Sequence, residues 1–328
     1  MRNLKQISIA SLALAAACTF AGCSKQNSAP ESKSPGSANA ASFNEPSVLT
    51  PFGMMPQSKV HFVEEGNSIS VVGGRLQKIE TATGKIVEDY GPVKRLDDNL
   101  NIGKQALAPA NSILPAASGW IAYGFWANTD TVKNPITSFT TTWTVPSVPT
   151  KQGNQTLFLF NGMQDGLTSS SYIIQPVLQW GSSAAGGGKY WAITNWYVSS
   201  ANAFYGTLEK VSSGTVLQGV MTETAHTGKL YSYNSSFVGY PAAADINATN
   251  IPQAWWNAET LETYSVTNVK TMYPPDVDVA MKSIQILEGS TNAPISWSTA
   301  QATKGSALKA VVVSNASPGG EVDIYFRK

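Results

Sequence analysis

Cysteine and histidine are almost missing from this 328-residue chain, which has two of each. Both cysteines, Cys18 and Cys23, lie in or just behind an apolar run at the N-terminus. The rest of the chain therefore has no thiol to form a disulfide, attack a substrate or hold a metal. The histidines, His61 and His226, have no third partner and no ligand spacing, which argues against a zinc site of the usual type. A Ser-His-Asp triad would have to use one of these two, and Gly-x-Ser-x-Gly does not occur. No Walker loop or dinucleotide glycine pattern precedes a helix, so nucleotide binding finds no support. Charge is also scarce, at 13% of residues. Setting aside Arg2 and Lys5 takes the 22 basic residues to 20, against 21 acidic ones. With no basic patch or charge run, nucleic acid is not an expected partner.

The one long hydrophobic run comes first. Arg2 and Lys5 precede "ISIASLALAAACTFAG", which is short for a membrane span and has the layout of a secretory signal. The tetrad Phe20-Ala21-Gly22-Cys23 resembles a bacterial lipobox, with Phe20 where Leu is usual. Residues 1–22 are thus expected to be a signal peptide and Cys23 the lipidated N-terminus. Ser24, where Asp would resemble a retention signal, favours the outer membrane or cell surface within the cell envelope. Residues 23–45 contain a Ser/Ala/Pro/Lys tract with little to bury, as suits a flexible tether.

From residue 46 the pattern is β. Residues 59–91 alternate apolar and polar side chains around a turn tract, "TATGK". Residues 46–118 read as a small N-terminal β-element and linker, propeptide-like if the element folds over a groove. From 119 to 328 the chain is a series of short, β-branched or aromatic segments parted by Gly, Asn, Ser and Pro, with no helical periodicity. The expected fold is all-β, a concanavalin-like jelly-roll β-sandwich.

Carboxylates, amides and aromatic rings are the chemistry that remains. In "IIQPVLQWG" (173–181), Gln175 and Gln179 are four residues apart, so a strand presents both on one face. In "YWAITNWYV" (190–198), Trp191, Ile193, Asn195 and Tyr197 share one face, and Tyr190, Ala192, Thr194 and Trp196 share the other. Large rings on both faces point to a central strand covered on both sides. In "NAETLETYSV", alternation groups Glu262 with Tyr264 and sets Glu259 with Leu261, the core-facing residue.

The order "LFLFNG…IIQPVLQWG…YWAITNWYV…SSGTVLQG…ETLETYSV" resembles the glutamic peptidases of the eqolisin type over about residues 120–266. That resemblance implies a secreted β-sandwich endopeptidase that uses no metal and no cofactor. It implies that Gln179, in the place of a Leu-Gln-Thr-Gly glutamine, is the oxyanion donor, and that Glu262 is the general base, with Glu259 as the alternative. It places Asn161, Asn195, Tyr197, Gln175 and Tyr264 along the substrate groove. Asn161 and Asn195 stand where the family has carboxylates. Their neutrality is expected to lower the pKa of the remaining Glu and move any activity toward neutral pH. The tracts "TPFG…VHFV" and "LETY…YPP" are also similar to a group of secreted proteins from which no function carries over.

The expected partners are a polypeptide substrate or a glycan, and a membrane through the lipid on Cys23. Two rival readings stand beside the peptidase: a lectin-like module binding sugars through its Trp and Tyr rings, and a surface module with no active site. The Glu-x-Asp-x-x-Glu strand of jelly-roll glucanases is absent, and Asp276 and Asp278 follow a Pro-Pro turn where they would cap a strand or bind a calcium ion.

Overall fold

The computed structural model describes residues 45–93, 119–130, 134–166, 170–303 and 306–327. The expected signal peptide, Cys23, nearly all of the tether and the 94–118 linker lie outside the described residues. The first strands are β1 (Ser47–Thr50), β2 (Gly53–Pro56), β3 (Val60–Phe62), β4 (Asn67–Val72), β5 (Arg75–Glu80) and β6 (Ile86–Pro92). Then come β7 (Gly119–Ala127), β8 (Ile136–Thr144), β9 (Thr156–Gln164), β10 (Tyr172–Ser183), β11 (Gly186–Ser199), β12 (Ala203–Tyr205) and β13 (Glu209–Val211). Next are β14 (Val216–Thr227), β15 (Leu230–Phe237), β16 (Ile246–Pro252), β17 (Trp256–Tyr264) and a one-turn helix, α1 (Val269–Met272). The last are β18 (Asp278–Glu288), β19 (Thr291–Asn292), β20 (Ser298–Gln301), β21 (Lys309–Ser314) and β22 (Gly320–Tyr325).

Two large sheets form a sandwich of jelly-roll type. The first runs β20-β7-β17-β9-β10-β11-β12-β3, with β13 also on β11. The second runs β21-β22-β18-β8-β14-β15-β16-β4-β5-β6, with β19 on β18. Pairing is antiparallel except where β3 joins β12 and β4 joins β16. The segment 46–92 therefore supplies edge strands to both sheets, and "TATGK" is the turn between β5 and β6.

Alternation explains the layers. From the first sheet Leu157, Leu159, Leu178, Trp180 and Ile193 point inward, and from the second Phe139, Trp143, Leu217, Met221 and Tyr233 meet them. All ten are almost completely buried. The sheets approach closely at Gly219 on β14. A Cβ there would lie 2.6 Å from the Asn161 side-chain oxygen and 2.8 Å from the Trp143 ring. A second apolar cluster covers the outer face of the first sheet: Trp120, Tyr123, Phe158, Phe160, Ile173, Val177, Trp196 and Trp256.

The β1–β2 hairpin lies on that outer face. The N–H of Ala184 donates to the carbonyl of Leu49 at 2.7 Å. Met55 is buried in the aromatic cluster, and the Phe52 ring packs edge-on against Trp120 with 6.5 Å between centroids. Among the described residues, the hairpin is thus held by ring burial and by the backbone hydrogen bond between Ala184 in the β10–β11 turn and Leu49.

Candidate active site

The register of three central strands sets the site. Phe158 on β9 is opposite Gln179 on β10 and opposite Glu262 on β17. With alternation fixed by the flanking pairs, Gln179, Phe158 and Glu262 form one row on the outer face, spanning two strand spacings, or about 10 Å between outer backbones. Two residues along β10, Val177 aligns with Phe160 and Thr260. Gln175 lies two residues further on, opposite Trp196 of β11. Tyr264 stands beyond Glu262 on the same face.

Glu262 is fully buried. Its Oε1 accepts a hydrogen bond from the Tyr264 hydroxyl, while Oε2 has no hydrogen-bond partner. Burial pushes its pKa up to about 8, with the hydrogen bond from Tyr264 and the nearby Trp120 indole offsetting part of the rise. Glu262 is therefore a neutral carboxylic acid at neutral pH while the hairpin is in place. The hydroxyl of Tyr264 is held well above its ordinary value, first by burial and then by the Glu262 carboxyl. This overturns the expected lowering of the glutamate's pKa: Asn161 and Asn195 are not its neighbours, and desolvation governs it.

Gln179 is fully buried too, and its amide is engaged. Nε2 donates to the carbonyls of Gly181 at 2.8 Å and Gly186 at 3.0 Å, and Oε1 accepts from Ser183 Oγ at 2.8 Å. The site depends on a glycine opposite. Gly187 has φ +102°, and a Cβ there would lie 2.4 Å from Gln179 Nε2 and 2.3 Å from the Gly181 carbonyl. Gln179 therefore braces the β10–β11 turn in this state, and both protons of its amide are spent on backbone carbonyls.

Four residues expected near the site point the other way, into the space between the sheets. Asn161 Nδ2 donates to the Gly219 carbonyl of the facing sheet at 3.4 Å. Asn195 donates to the Ala244 carbonyl at 2.8 Å and accepts from Ser235 Oγ at 2.7 Å. Tyr197 stacks on Tyr172 with 5.4 Å between centroids. Glu259 accepts from Thr141 Oγ1 at 2.5 Å, and burial holds its carboxyl well above the ordinary range. On the inter-sheet side of their strands, these residues neither line the outer face nor offer a second general base. Of the expected groove residues, Gln175 and Tyr264 share the face of Gln179 and Glu262. Thr260, two residues before Glu262, shares it as well, and alternation alone could have named it. Trp120 reaches Glu262 through a bulge in the β17–β7 pairing, which no local pattern in the sequence marks.

The histidines lie elsewhere: His61 Nε2 is 3.1 Å from Asn202 Oδ1, and His226 Nδ1 is 2.6 Å from Glu223 Oε1. Asp276 accepts from the backbone N–H and hydroxyl of Ser147, at 2.9 and 3.2 Å, so it caps a loop. Among the described residues, no group of three or more His, Cys, Asp or Glu side chains is placed to hold a metal ion.

No family model and no curated protein matches the chain. Among solved structures, it is similar to scytalido-glutamic peptidase with a peptide-based transition-state analogue, at 13% identity and a TM-score of 0.39, over 64% of this chain and 100% of that one. A second complex of that peptidase with a transition-state analogue inhibitor gives 16% identity and a TM-score of 0.38, over 63% and 98%. SCP-B, a member of the eqolisin family of peptidases in a complex with the tripeptide Ala-Ile-His, gives 14% and 0.37, over 63% and 98%. Values this low transfer no residue role.

Proposed function

We propose that the chain is a polypeptide hydrolase of the glutamate/glutamine type, latent while its N-terminal hairpin covers the site. One observation carries the reading. Glu262, neutral and with one oxygen uncommitted, shares a row with Gln179 across Phe158 on a buried aromatic face. In the proposed reaction Glu262 takes a proton from water as the water attacks the peptide carbonyl, then returns a proton to the leaving amine. The Gln179 amide turns from Gly181 and Gly186 to donate to the oxyanion. Both steps need the hairpin to lift. Water at Glu262 then lowers its pKa and ionises it, and the carboxylate becomes a base. With the hairpin in place, a glutamate titrating near 8 stays protonated through neutral pH and is no base.

Anchoring through a lipid on Cys23, at the outer membrane or cell surface, belongs to the same proposal. Radiolabelled palmitate incorporated by the full chain and lost in Cys23→Ala would support it. The hydrolase is tested with denatured casein from about pH 2 to pH 9, using the full chain, the same chain carrying Phe52→Ala to loosen the cover, and each with Glu262→Gln or Gln179→Ala. Peptide release that increases with Phe52→Ala and disappears in both site variants is the expected result. Release that survives both site variants, or no release at any pH, refutes it.

A further inference from the structure

Gln175 is fully buried, and neither its Nε2 nor its Oε1 has a hydrogen-bond partner. It is not an isolated orphan. Thr260 Oγ1, the indole nitrogens of Trp196 and Trp256, and Glu262 Oε2 are likewise buried without a partner, and register places all of them on the same sheet face. Folded proteins rarely leave buried polar atoms unpaired. A line of them along one face marks the place where a ligand supplies the partners. Gln179, on the same strand and face, is by contrast fully paired.

We infer that Gln175 is the anchor of a substrate-binding subsite for an extended polypeptide, about four residues from the bond that Glu262 and Gln179 address. This rests on the polypeptide reading above and deepens it. A glutamine amide offers a donor and an acceptor side by side, the same pair that a peptide group offers in return. Gln175 and Gln179 are four strand residues apart, or about 13 Å, and an extended peptide advances at nearly the same rise per residue. A chain with its reacting carbonyl near Gln179 therefore brings a peptide group to Gln175 about four residues later. Between them, Val177 and Phe160 offer an apolar shelf, and the hydroxyl of Thr260 stands beside it. The indole N–H groups of Trp196 and Trp256 can donate only to acceptors, as the carbonyls of such a chain are. The ligand class that fits is an unfolded segment with large apolar side chains.

The test uses the full chain and a ladder of synthetic peptides that share one cleavable centre and extend one to six residues to either side. Parent, Gln175→Leu and Gln175→Met are compared by cleavage kinetics and, with the longest peptide, by calorimetric binding. Both substitutions keep the side-chain volume and remove the unpaired amide, so the fold does not depend on them. The expected result is a step in kcat/KM, on the order of tenfold, when the peptide reaches about four residues on one side. That step resides in KM and vanishes in both variants, while the shortest peptides are cleaved as before. Cleavage with a step unchanged by the variants overturns the subsite and leaves the hydrolase standing. Binding that depends on length and on Gln175, without cleavage, supports the subsite and overturns the hydrolase. Variants that are only more stable, with cleavage and binding unchanged, show a trapped water instead and overturn the inference. An oligosaccharide binding in place of the peptide overturns both readings.

Discussion

Replacing Glu262 by Gln changes one atom of a fully buried group and removes its ability to titrate. The pKa of Glu262 is raised from 4.5 to about 8 by burial. The folded chain therefore holds a proton between those values that the unfolded chain releases. By linkage, the stability contributed through this residue is intact below about pH 4.5, falls as pH rises and is lost by about pH 8. At about 1.4 kcal/mol per pH unit, the parent loses on the order of 4 kcal/mol between pH 5 and pH 8 through this residue alone. Gln is neutral throughout and close in shape. At pH 5 parent and variant should agree to within about 1 kcal/mol, and at pH 8 the variant should be the more stable by nearly the whole amount. Glu259 adds a loss of the same sign, and it adds it equally to both proteins. Urea denaturation at half-unit intervals from about pH 5 to pH 8.5 measures the difference directly. If the two midpoints move in parallel across the range, Glu262 is not a buried neutral acid, and the protonation on which the proposed latency rests is wrong.

Three further outcomes follow from other contacts. Glu259→Gln, which keeps an acceptor for Thr141, should leave stability near the parent's at pH 5 and raise it at pH 8 without touching hydrolysis, since Glu259 lies between the sheets. Gly187→Ala should cost about 3 kcal/mol by denaturant midpoint, because the new Cβ meets the Gly181 carbonyl and the Gln179 amide at a positive φ; an unchanged midpoint would mean that the turn is not braced as described. Phe52→Ala should cost about 2 kcal/mol and make Trp120 fluorescence more accessible to acrylamide; unchanged quenching would mean that the hairpin does not shield that ring.

Much of the site was written in alternation. The shared face of Gln175 and Gln179, and the pairing of Glu262 with Tyr264 against Glu259 and Leu261, follow from a period of two once the strands are recognised. Alternation sorts residues into two sets and does not say which set meets the other sheet when both are aromatic. In β11 the set of Trp191, Ile193, Asn195 and Tyr197 looks no more interior than its opposite, and only packing against Ser235 and Tyr172 decides it. The resemblance that drew Asn161 and Asn195 into the groove matched short motifs along the chain, and motif order carries no facing. Burial of Glu262 was out of reach for another reason. Residues 47–56, which pack with Tyr264 beside it, lie two hundred positions earlier, and a contact so distant leaves no local mark on "TLETYSV".

The parallel joins of β3 to β12 and β4 to β16 bear on how the molecule assembles. Val60 waits for Ala203, and Ile69 waits for Ala248. The strands made first are thus among the last to dock, and closing such long loops makes this a slow folder among proteins of its size. Until then β12 and β16 carry open backbone, ready to pair with another copy of the chain. Completion replaces the β16 edge with β6, which carries Glu88 and Asp89 and leaves a charged border at the rim. The early strands therefore close an aggregation hazard that the later ones create, and a chain cut short at its front would be prone to stick before it failed to fold.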